Sequence, residues 1–278
     1  MNSIFLKVFE LVVRIDFEDR SVEPLIMACY SAFLHPRSSD GVSLMLTVRK
    51  VGEAGWTVSD GESTVHCNDI ADIVYFIEKT MTIGLQRLRN DLYFVHAAAI
   101  GHDEQCTVLV GESGVGKSTL CWNLCNAGFI YLSDELAPVD PESMAVVPYP
   151  HAICLKSDSK GSHPLPRQTI RTSVTMHVPV DALPLPFARR PAKISNIIFL
   201  THGSGEDQPV VEDISRSEAA ARLYANSLNQ LAHEHDGLAA AARLVSSANC
   251  FHIERSSVPN MRRAVSEIIV SSATPANQ

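Results

Sequence analysis

The stretch from Gly111 to Thr119, GESGVGKST, has the residue types and spacing of a phosphate-binding loop. Gly111, Gly116, Lys117 and Ser118 match the pattern G-x-x-x-x-G-K-[ST], between an apolar run that predicts a strand and a pattern that predicts a helix. In such a loop, backbone N–H groups point inward at a phosphate, the lysine reaches the outer phosphate oxygens and the serine hydroxyl binds Mg²⁺. The predicted phosphate-binding residues are Gly111, Ser113, Gly114, Val115, Gly116, Lys117, Ser118 and Thr119.

Two adjacent carboxylates, Asp134 and Glu135, follow the apolar run FIYL at 129–132. We expect this run to be a strand parallel to the one before the loop and joined to it by one helix, so that both strands end at the same sheet edge. One carboxylate can then hold Mg²⁺ while the other takes a proton from an incoming hydroxyl. The residue types leave open which does which, so both are candidate metal ligands, and the letters SDE are also common in turns.

His96 stands in the apolar run LYFVHAAAI at 92–100, which predicts a single strand. Two interpretations are open. A histidine on an apolar strand is commonly a core residue satisfied by one hydrogen bond. Alternatively, a neighbouring strand places its imidazole against the carboxylate of Asp134, which makes His96 a third candidate catalytic residue beside Asp134 and Lys117.

The chain divides by pattern near residue 90. Residues 1–90 contain short strand-like runs such as VSLMLTVRK, WTVS and STVHC, then a helical pattern after Asp69, and predict a small β-rich module. Residues 91–278 alternate strand, loop and helix, and become mostly helical in the last third, which predicts an α/β domain. The final SSATPANQ is typical of a disordered tail.

Composition excludes several classes of function. The net charge of −8 disfavours nucleic-acid binding, and no apolar run approaches the roughly 20 residues that cross a bilayer. The N-terminal run lacks a signal-peptide pattern. Seven cysteines without a C-x-x-C pair indicate reduced thiols and a cytoplasmic location, and we interpret Cys121 and Cys125 as small residues at a helix interface rather than as a metal or redox pair. The HEH at 233–235 lacks zinc-site spacing.

The motifs VHAAAI, VLVGESGVGKST, NAGF and LSDE, in this order and spacing, resemble those of the HPr serine kinase/phosphorylase family and its smaller relatives. The resemblance covers about residues 91–156. The bifunctional enzymes carry a later signature, a glutamate followed by VRGLG, where this chain has PYPHAICLK. In that respect it resembles the shorter HprK-related kinases, which include kinases of lasso-peptide precursors.

The resemblance implies a P-loop kinase domain of the HPr kinase/phosphoenolpyruvate carboxykinase type, α/β in class, with a small N-terminal β-rich (α+β) module. It implies that Lys117 and Ser118 bind ATP phosphates and Mg²⁺, that Asp134 is the base for a serine hydroxyl, that Glu135 assists the metal, and that His96 lies beside Asp134. The partner implied is a peptide or small-protein acceptor, with no nucleic acid and no membrane; assembly into a homo-oligomer is left open.

Three alternatives remain open at the level of the sequence. The same loop could serve a nucleotide-hydrolysing switch in which Asp134 positions water, or a binding module that grips nucleotide without transferring phosphate. A kinase of free serine or another small molecule is the third.

The segment from Lys156 to Lys193 is basic and rich in proline. It is either an ordinary solvated loop or a mobile loop that closes on the acceptor, with Lys156, Arg167 and Arg171 as candidate contacts. The N-terminal module either binds the acceptor or only packs.

Overall fold

The structure, a computed structural model, describes residues 1–36, 41–52, 55–157, 163–203 and 208–273. These ranges form a mixed α/β protein with several sheets. Its helices are α1 (Glu23–Tyr30), α2 (Ile70–Leu88), α3 (Lys117–Asn126), α4 (Arg216–Ala225), α5 (Leu238–Ser247) and α6 (Val258–Ala273). Its strands are β1 (Asn2–Val8), β2 (Leu11–Phe17), β3 (Leu34–His35), β4 (Leu44–Val51), β5 (Gly55–Ser59), β6 (Thr64–Cys67), β7 (Tyr93–Val95), β8 (Ala97–His102), β9 (Gln105–Gly111), β10 (Ile130–Ser133), β11 (Ala137–Asp140), β12 (Ala145–Val146), β13 (Ile153–Lys156), β14 (Ile170–Arg171), β15 (Thr175–Val178), β16 (Ala192–Thr201), β17 (Val211–Asp213) and β18 (Asn249–Glu254).

The chain forms two compact units. The first contains residues 1–89, 154–158 and 166–182, and the second contains residues 90–153, 159–165 and 183–278. The sequence pattern predicts one boundary near residue 90 and does not foresee the return of the chain to the first unit. This return has a physical basis, because β15 pairs with β13 and β14 and contacts α1.

The first unit is built on a six-stranded sheet in the order β3-β1-β2-β4-β5-β6. The hairpin between β1 and β2 turns at Phe9 and Glu10, which both have positive φ angles of 49° and 66°. The predicted helix after Asp69 is confirmed, because the carboxylate of Asp69 caps α2 by accepting hydrogen bonds from the backbone N–H groups of Ala71 and Asp72. The sequence pattern does not predict α1, whose Pro24 occupies the first turn, where a missing N–H costs no helical hydrogen bond.

The second unit is built on a larger sheet in the order β10-β8-β9-β16-β12-β11-β7, with β18 beside β16 and β17 beside β18. Strands β9, β16 and β18 are mutually parallel, and β9 and β10 are both antiparallel to β8. The carboxyl ends of β9, β10, β16 and β18 therefore lie at one edge of the sheet.

Buried apolar residues on both faces of the central strands form the core of the second unit. Helices α4 and α5 contribute Leu223, Leu244 and Val245 to the same cluster as Val108 and Val110 of β9. The helices α3 and α6 contact each other and β8. Strands covered on both faces read as nearly continuous apolar runs, as β9 and β16 do in the sequence.

The helical pattern SEAAARLYANSLNQLAH at 217–233 predicts one helix. This prediction is too long at its end, because α4 stops at Ala225 and Asn226 bonds back to the last turn. Asn229 then ties this segment to the start of β7 by bonding to the backbone of Leu92 and Phe94. The predicted disordered tail overlaps α6 as far as Ala273, and its residues 274–278 lie outside the described ranges. None of the helices in the described ranges has both the length and the apolar character to cross a membrane.

Candidate phosphate-binding site

The loop at 112–116 joins the end of β9 to the start of α3, and its glycines are required by space and by backbone angle. A Cβ on Gly111 would lie 2.5 Å from the backbone oxygen of Leu200 in β16, so only glycine fits beside that strand. Gly114 and Gly116 have φ angles of 88° and 104°, which side chains with a Cβ rarely adopt. The strand, loop and helix predicted from the sequence are confirmed.

Lys117 folds back over this loop. Its Nζ donates to the backbone oxygens of Gly111 (2.8 Å) and Glu112 (3.2 Å), and the residue is only 4% exposed. A buried ammonium group is stable when its donors are satisfied, and here carbonyl oxygens of the loop satisfy two of them. The ammonium group of Lys117 is therefore held against the backbone of the loop.

Asp134 and Glu135 follow β10 at the same sheet edge as the loop, as the sequence predicts. A tight turn separates their directions: Glu135 has a φ angle of 61°, and the N–H of Leu136 donates to the backbone oxygen of Asp134 at 2.6 Å. Asp134 is completely buried, whereas the side chain of Glu135 is 40% exposed. The two neighbouring carboxylates therefore occupy different environments.

Glu135 joins three elements of the site. The hydroxyl of Ser118, in the first turn of α3, donates to its Oε1 at 3.3 Å, and Nε2 of His96 lies 3.0 Å from its Oε2. Because an ionised carboxylate only accepts hydrogen bonds, Nε2 of His96 carries the proton in this contact. Ser118, Glu135 and His96 are thus brought together, whereas the sequence analysis expected His96 beside Asp134.

The position of His96 corrects two expectations. The run at 92–100 is two strands, because the chain leaves its partner β11 after Val95 and pairs with β9 and β10 from Ala97 onward. His96 lies at this break, and its N–H donates to the backbone oxygen of Asn226. Its imidazole faces Glu135 instead of Asp134, because the turn after β10 exposes Glu135 at the edge and buries Asp134.

Charges around Glu135 favour its ionised form. Burial alone opposes ionisation, but the hydrogen bond from His96 and the electrostatic interactions with His96 and Lys117 outweigh it and lower the pKa of Glu135. A carboxylate held ionised beside a serine hydroxyl is suited to binding a cation.

His151 is a site residue that the sequence did not indicate. Its Nε2 donates to the backbone oxygen of Asp134 at 2.7 Å, and its own carbonyl accepts a hydrogen bond from the hydroxyl of Tyr131 at 2.9 Å. Burial lowers the pKa of this imidazole, which favours the neutral form. The only signal in the sequence is the stretch PYPHAICLK. A bridge between Ser133 and Tyr149 brings it to the carboxylate turn.

The basic candidates Lys156, Arg167 and Arg171 are residues of the first unit. Lys156 ends β13, and Arg171 in β14 donates to the sulfur of Met176. The segment predicted as a mobile loop contains the last residue of β13 and the strands β14 and β15, and its residues 158–162 lie outside the described ranges. A role for these basic residues in contacting an acceptor stays a prediction.

The residues at the loop fit a magnesium ion bound with a nucleotide. Within the described ranges no group of three or more histidine, cysteine or acidic side chains is arranged to hold a metal. Mg²⁺ in phosphate sites commonly takes one or two protein oxygens and fills its other positions with water and phosphate. The Ser118 hydroxyl and the Glu135 carboxylate, 3.3 Å apart, are such a pair.

Comparison with solved structures finds chains of similar structure. The chain resembles an HPr(Ser) kinase/phosphatase. That protein, from Coxiella burnetii, is matched over 64% of this chain and 93% of its own, with 16% sequence identity and a TM-score of 0.31. It belongs to the family whose motifs the sequence resembles. No protein-family model matches the sequence, and no curated protein matches it. The function of this chain is therefore inferred from its own side chains.

Proposed function

We propose that this chain is an ATP- and Mg²⁺-dependent kinase that transfers the γ-phosphoryl group to a serine hydroxyl of a peptide or small protein. The observation that carries this proposal is the convergence of Lys117, Ser118 and Glu135 at one sheet edge, directly beside the buried Asp134. A phosphate loop followed by paired carboxylates at the same edge supplies both charge neutralisation and a proton acceptor.

In this proposal, the loop residues bind and orient the nucleotide. The N–H groups from Ser113 to Thr119 and the amino end of α3 hold the phosphate chain, and Lys117 exchanges its carbonyl partners for phosphate oxygens. Ser118 and Glu135 hold Mg²⁺, which when bound neutralises charge on the transferred group. His96 keeps Glu135 oriented through its hydrogen bond.

The transfer itself needs one proton acceptor. The serine oxygen of the acceptor forms a bond to the γ-phosphorus while the bond from that phosphorus to the bridging oxygen of ADP breaks, and the serine proton passes to the carboxylate of Asp134. Because Asp134 is completely buried, its turn must open towards the acceptor for this step. His151 is a positioning residue here, since it bonds the backbone of that turn.

The acceptor class proposed is a peptide, including a precursor peptide, or a small protein. The sheet of the first unit and the basic residues Lys156, Arg167 and Arg171 are proposed to bind it, because a net negative protein with a local basic segment favours an acceptor with acidic groups. A cytoplasmic location is proposed from the cysteine usage.

A second candidate function is nucleotide hydrolysis without an acceptor. The burial of Asp134 favours it, because a water molecule reaches a buried carboxylate more easily than a serine on a peptide does. In this case the carboxylate orients water, and phosphate is released into solution.

The test is transfer of label from γ-labelled ATP with Mg²⁺ into proteins and peptides of the native lysate, and release of labelled phosphate is measured in parallel. Wild type is compared with Lys117→Ala and Asp134→Asn. Lys193→Ala and Asp103→Asn are matched controls, since both residues are exposed and lie at the sheet edge opposite the loop, Lys193 near the start of β16 and Asp103 in the turn between β8 and β9. We expect a labelled species with wild type and both controls and none with either site variant.

The outcomes separate the two candidates. Label found only in free phosphate, and lost in Lys117→Ala, supports hydrolysis. Equal labelling of the acceptor by wild type and Asp134→Asn would show that Asp134 is not the base.

A further inference from the structure

Arg255 immediately follows β18 and lies at the same sheet edge as the phosphate loop. Strand β18 is parallel to β16, and β16 is parallel to β9, so the three strands end side by side. The N–H of Arg255 continues this pairing by donating to the backbone oxygen of Thr201 at 2.9 Å. The sheet therefore places Arg255 near the loop, although Arg255 is 138 residues beyond Lys117 in the chain.

The guanidinium group of Arg255 lies alongside the middle of the loop. Its Nη1 is 3.5 Å from the backbone oxygen of Gly114, at the outer limit of a hydrogen bond. A Cβ built on Gly116 would lie 4.0 Å from its Nε. The side chain is exposed, so it can leave this weak contact for a stronger one.

The backbone of Arg255 is fixed by its neighbours. A Cβ on Gly203 would lie 2.2 Å from the carbonyl oxygen of Arg255, so the chain after β16 passes Arg255 at a distance that only glycine allows. Beside it, the hydroxyl of Thr201 bonds Nε2 of His252 at 2.9 Å, which links the ends of β16 and β18. These contacts fix the backbone of Arg255 at the edge of the sheet.

Among the described residues, the charge of Arg255 has no ion-pair partner. A guanidinium group is always charged in proteins, and its planar set of donors matches the oxygens of a phosphate. An exposed cation held next to phosphate-binding backbone amides has an obvious anionic partner when a nucleotide occupies the loop.

We propose that Arg255 is a further nucleotide-binding residue, whose guanidinium group turns from Gly114 to bind phosphate oxygens of the nucleotide in the loop. This inference rests on the nucleotide binding of the proposed function, and it does not depend on phosphate transfer. It makes β18 and the chain that follows it part of the site.

The first test is the affinity for Mg²⁺ and ATP, measured by calorimetry at two salt concentrations. We expect Arg255→Gln to raise the Kd about tenfold or more, because a charge-assisted contact is lost, and Arg255→Lys to raise it less, because the charge remains. The control is Arg243→Gln, at an exposed position on α5, with a Kd within about twofold of wild type. The affinity of Arg255→Gln should also depend less on salt.

A second test uses the wild-type chain and so does not depend on how a variant folds. Phenylglyoxal modifies exposed arginines, and mass spectrometry follows the peptide that contains Arg255. We expect bound ATP with Mg²⁺ to protect Arg255 and to leave Arg243 equally reactive.

The outcomes distinguish this inference from the proposed function. If wild type does not bind ATP, both fail. If wild type binds ATP but Arg255→Gln binds as tightly as Arg243→Gln, or ATP leaves the labelling of Arg255 unchanged, only the role of Arg255 is overturned. If ATP binds and Arg255 is protected while no acceptor is labelled, the inference stands without the kinase.

Discussion

Glu135, just after β10, links helix α3 to His96 through hydrogen bonds of its carboxylate. Its two oxygens have separate partners, Ser118 on one side and His96 on the other. In a metal site, the partner that orients a ligand from behind affects metal affinity although it does not touch the metal. His96 is such a partner.

We therefore expect His96→Ala to weaken the apparent affinity for Mg²⁺. The Mg²⁺ concentration that supports half-maximal turnover should rise by about 10- to 100-fold, while the affinity for ATP without metal changes little. His96→Gln, which keeps an N–H donor, should restore part of the loss. The exposed His66 of β6 supplies the control variant His66→Ala. An unchanged Mg²⁺ requirement in His96→Ala would mean that the contact with Glu135 has no part in metal binding.

The sequence predicts the site residues that are defined by local spacing, and it does not predict side-chain contacts that depend on the geometry of a turn. Gly111, Lys117 and Ser118 are predictable because one local pattern defines the loop. The pairing of His96 with Glu135 is not, because it depends on the left-handed backbone of Glu135. His151 reaches Asp134 only through the pairing of Ser133 with Tyr149, a contact between segments that periodicity does not reveal.

Among the elements, the junction of β9 with the loop is the one most tightly constrained. Gly111 faces the backbone of Leu200 in the neighbouring strand β16 at a distance that excludes any side chain. Because both strands lie in the middle of the sheet, neither can move away without disturbing its other partner.

We expect Gly111→Ala to destabilise the protein and to disrupt the loop. Overpacking against fixed backbone typically costs about 1–3 kcal/mol in the free energy of unfolding, and ATP affinity should fall with it. Gly41→Ala is the control, because a Cβ there meets nothing within 4 Å. The measurement is urea unfolding followed by circular dichroism. Equal midpoints for Gly111→Ala and wild type would show that the strands yield at low cost.

Elements with a local start signal are the ones that the sequence predicts well. Asp69 caps α2 and Gly116 precedes α3, and both helices begin where expected. The helix α1 has no side-chain cap, and a proline such as its Pro24 is also typical of a turn. The division of the run at 92–100 into β7 and β8 follows from a change of partner strand, which an apolar run does not record.

Over the whole molecule, burial distinguishes the cysteines. All seven lie in the described ranges and none of them forms a disulfide; six are buried and Cys154 is partly exposed. Burial raises the pKa of Cys67 to about 11. Burial, together with Cys125 and the charge of Asp134, raises the pKa of Cys121 well above its ordinary value.

We therefore expect a thiol reagent such as Ellman's reagent to modify about one cysteine in the native protein at pH 8, and all seven in denaturant, because thiolates react and buried thiols stay protonated. Cys154→Ser should abolish the fast phase, whereas Cys250→Ser should leave it unchanged. Several fast-reacting thiols in the native protein would contradict the burial of these residues.

The sequence separates the β-rich first part from the α/β part because their patterns differ. It does not reveal that residues 154–158 and 166–182 return to the first unit. Short strands such as β14 and β15 carry too few residues for a pattern, and their place is decided by pairing and by contact with α1.

The return of residues 154–158 and 166–182 to the first unit affects the order in which the units can be completed during synthesis. Domains that are continuous in sequence can fold as soon as they leave the ribosome, usually from the N-terminus onward. Here the strands that complete the first unit end at Val178, long after β9, the loop and α3 have been made. The strands β1 to β6 can pair before the nucleotide-binding segment emerges, whereas β13, β14 and β15 are made after it. We infer that the first unit reaches its final form only after that segment has been made.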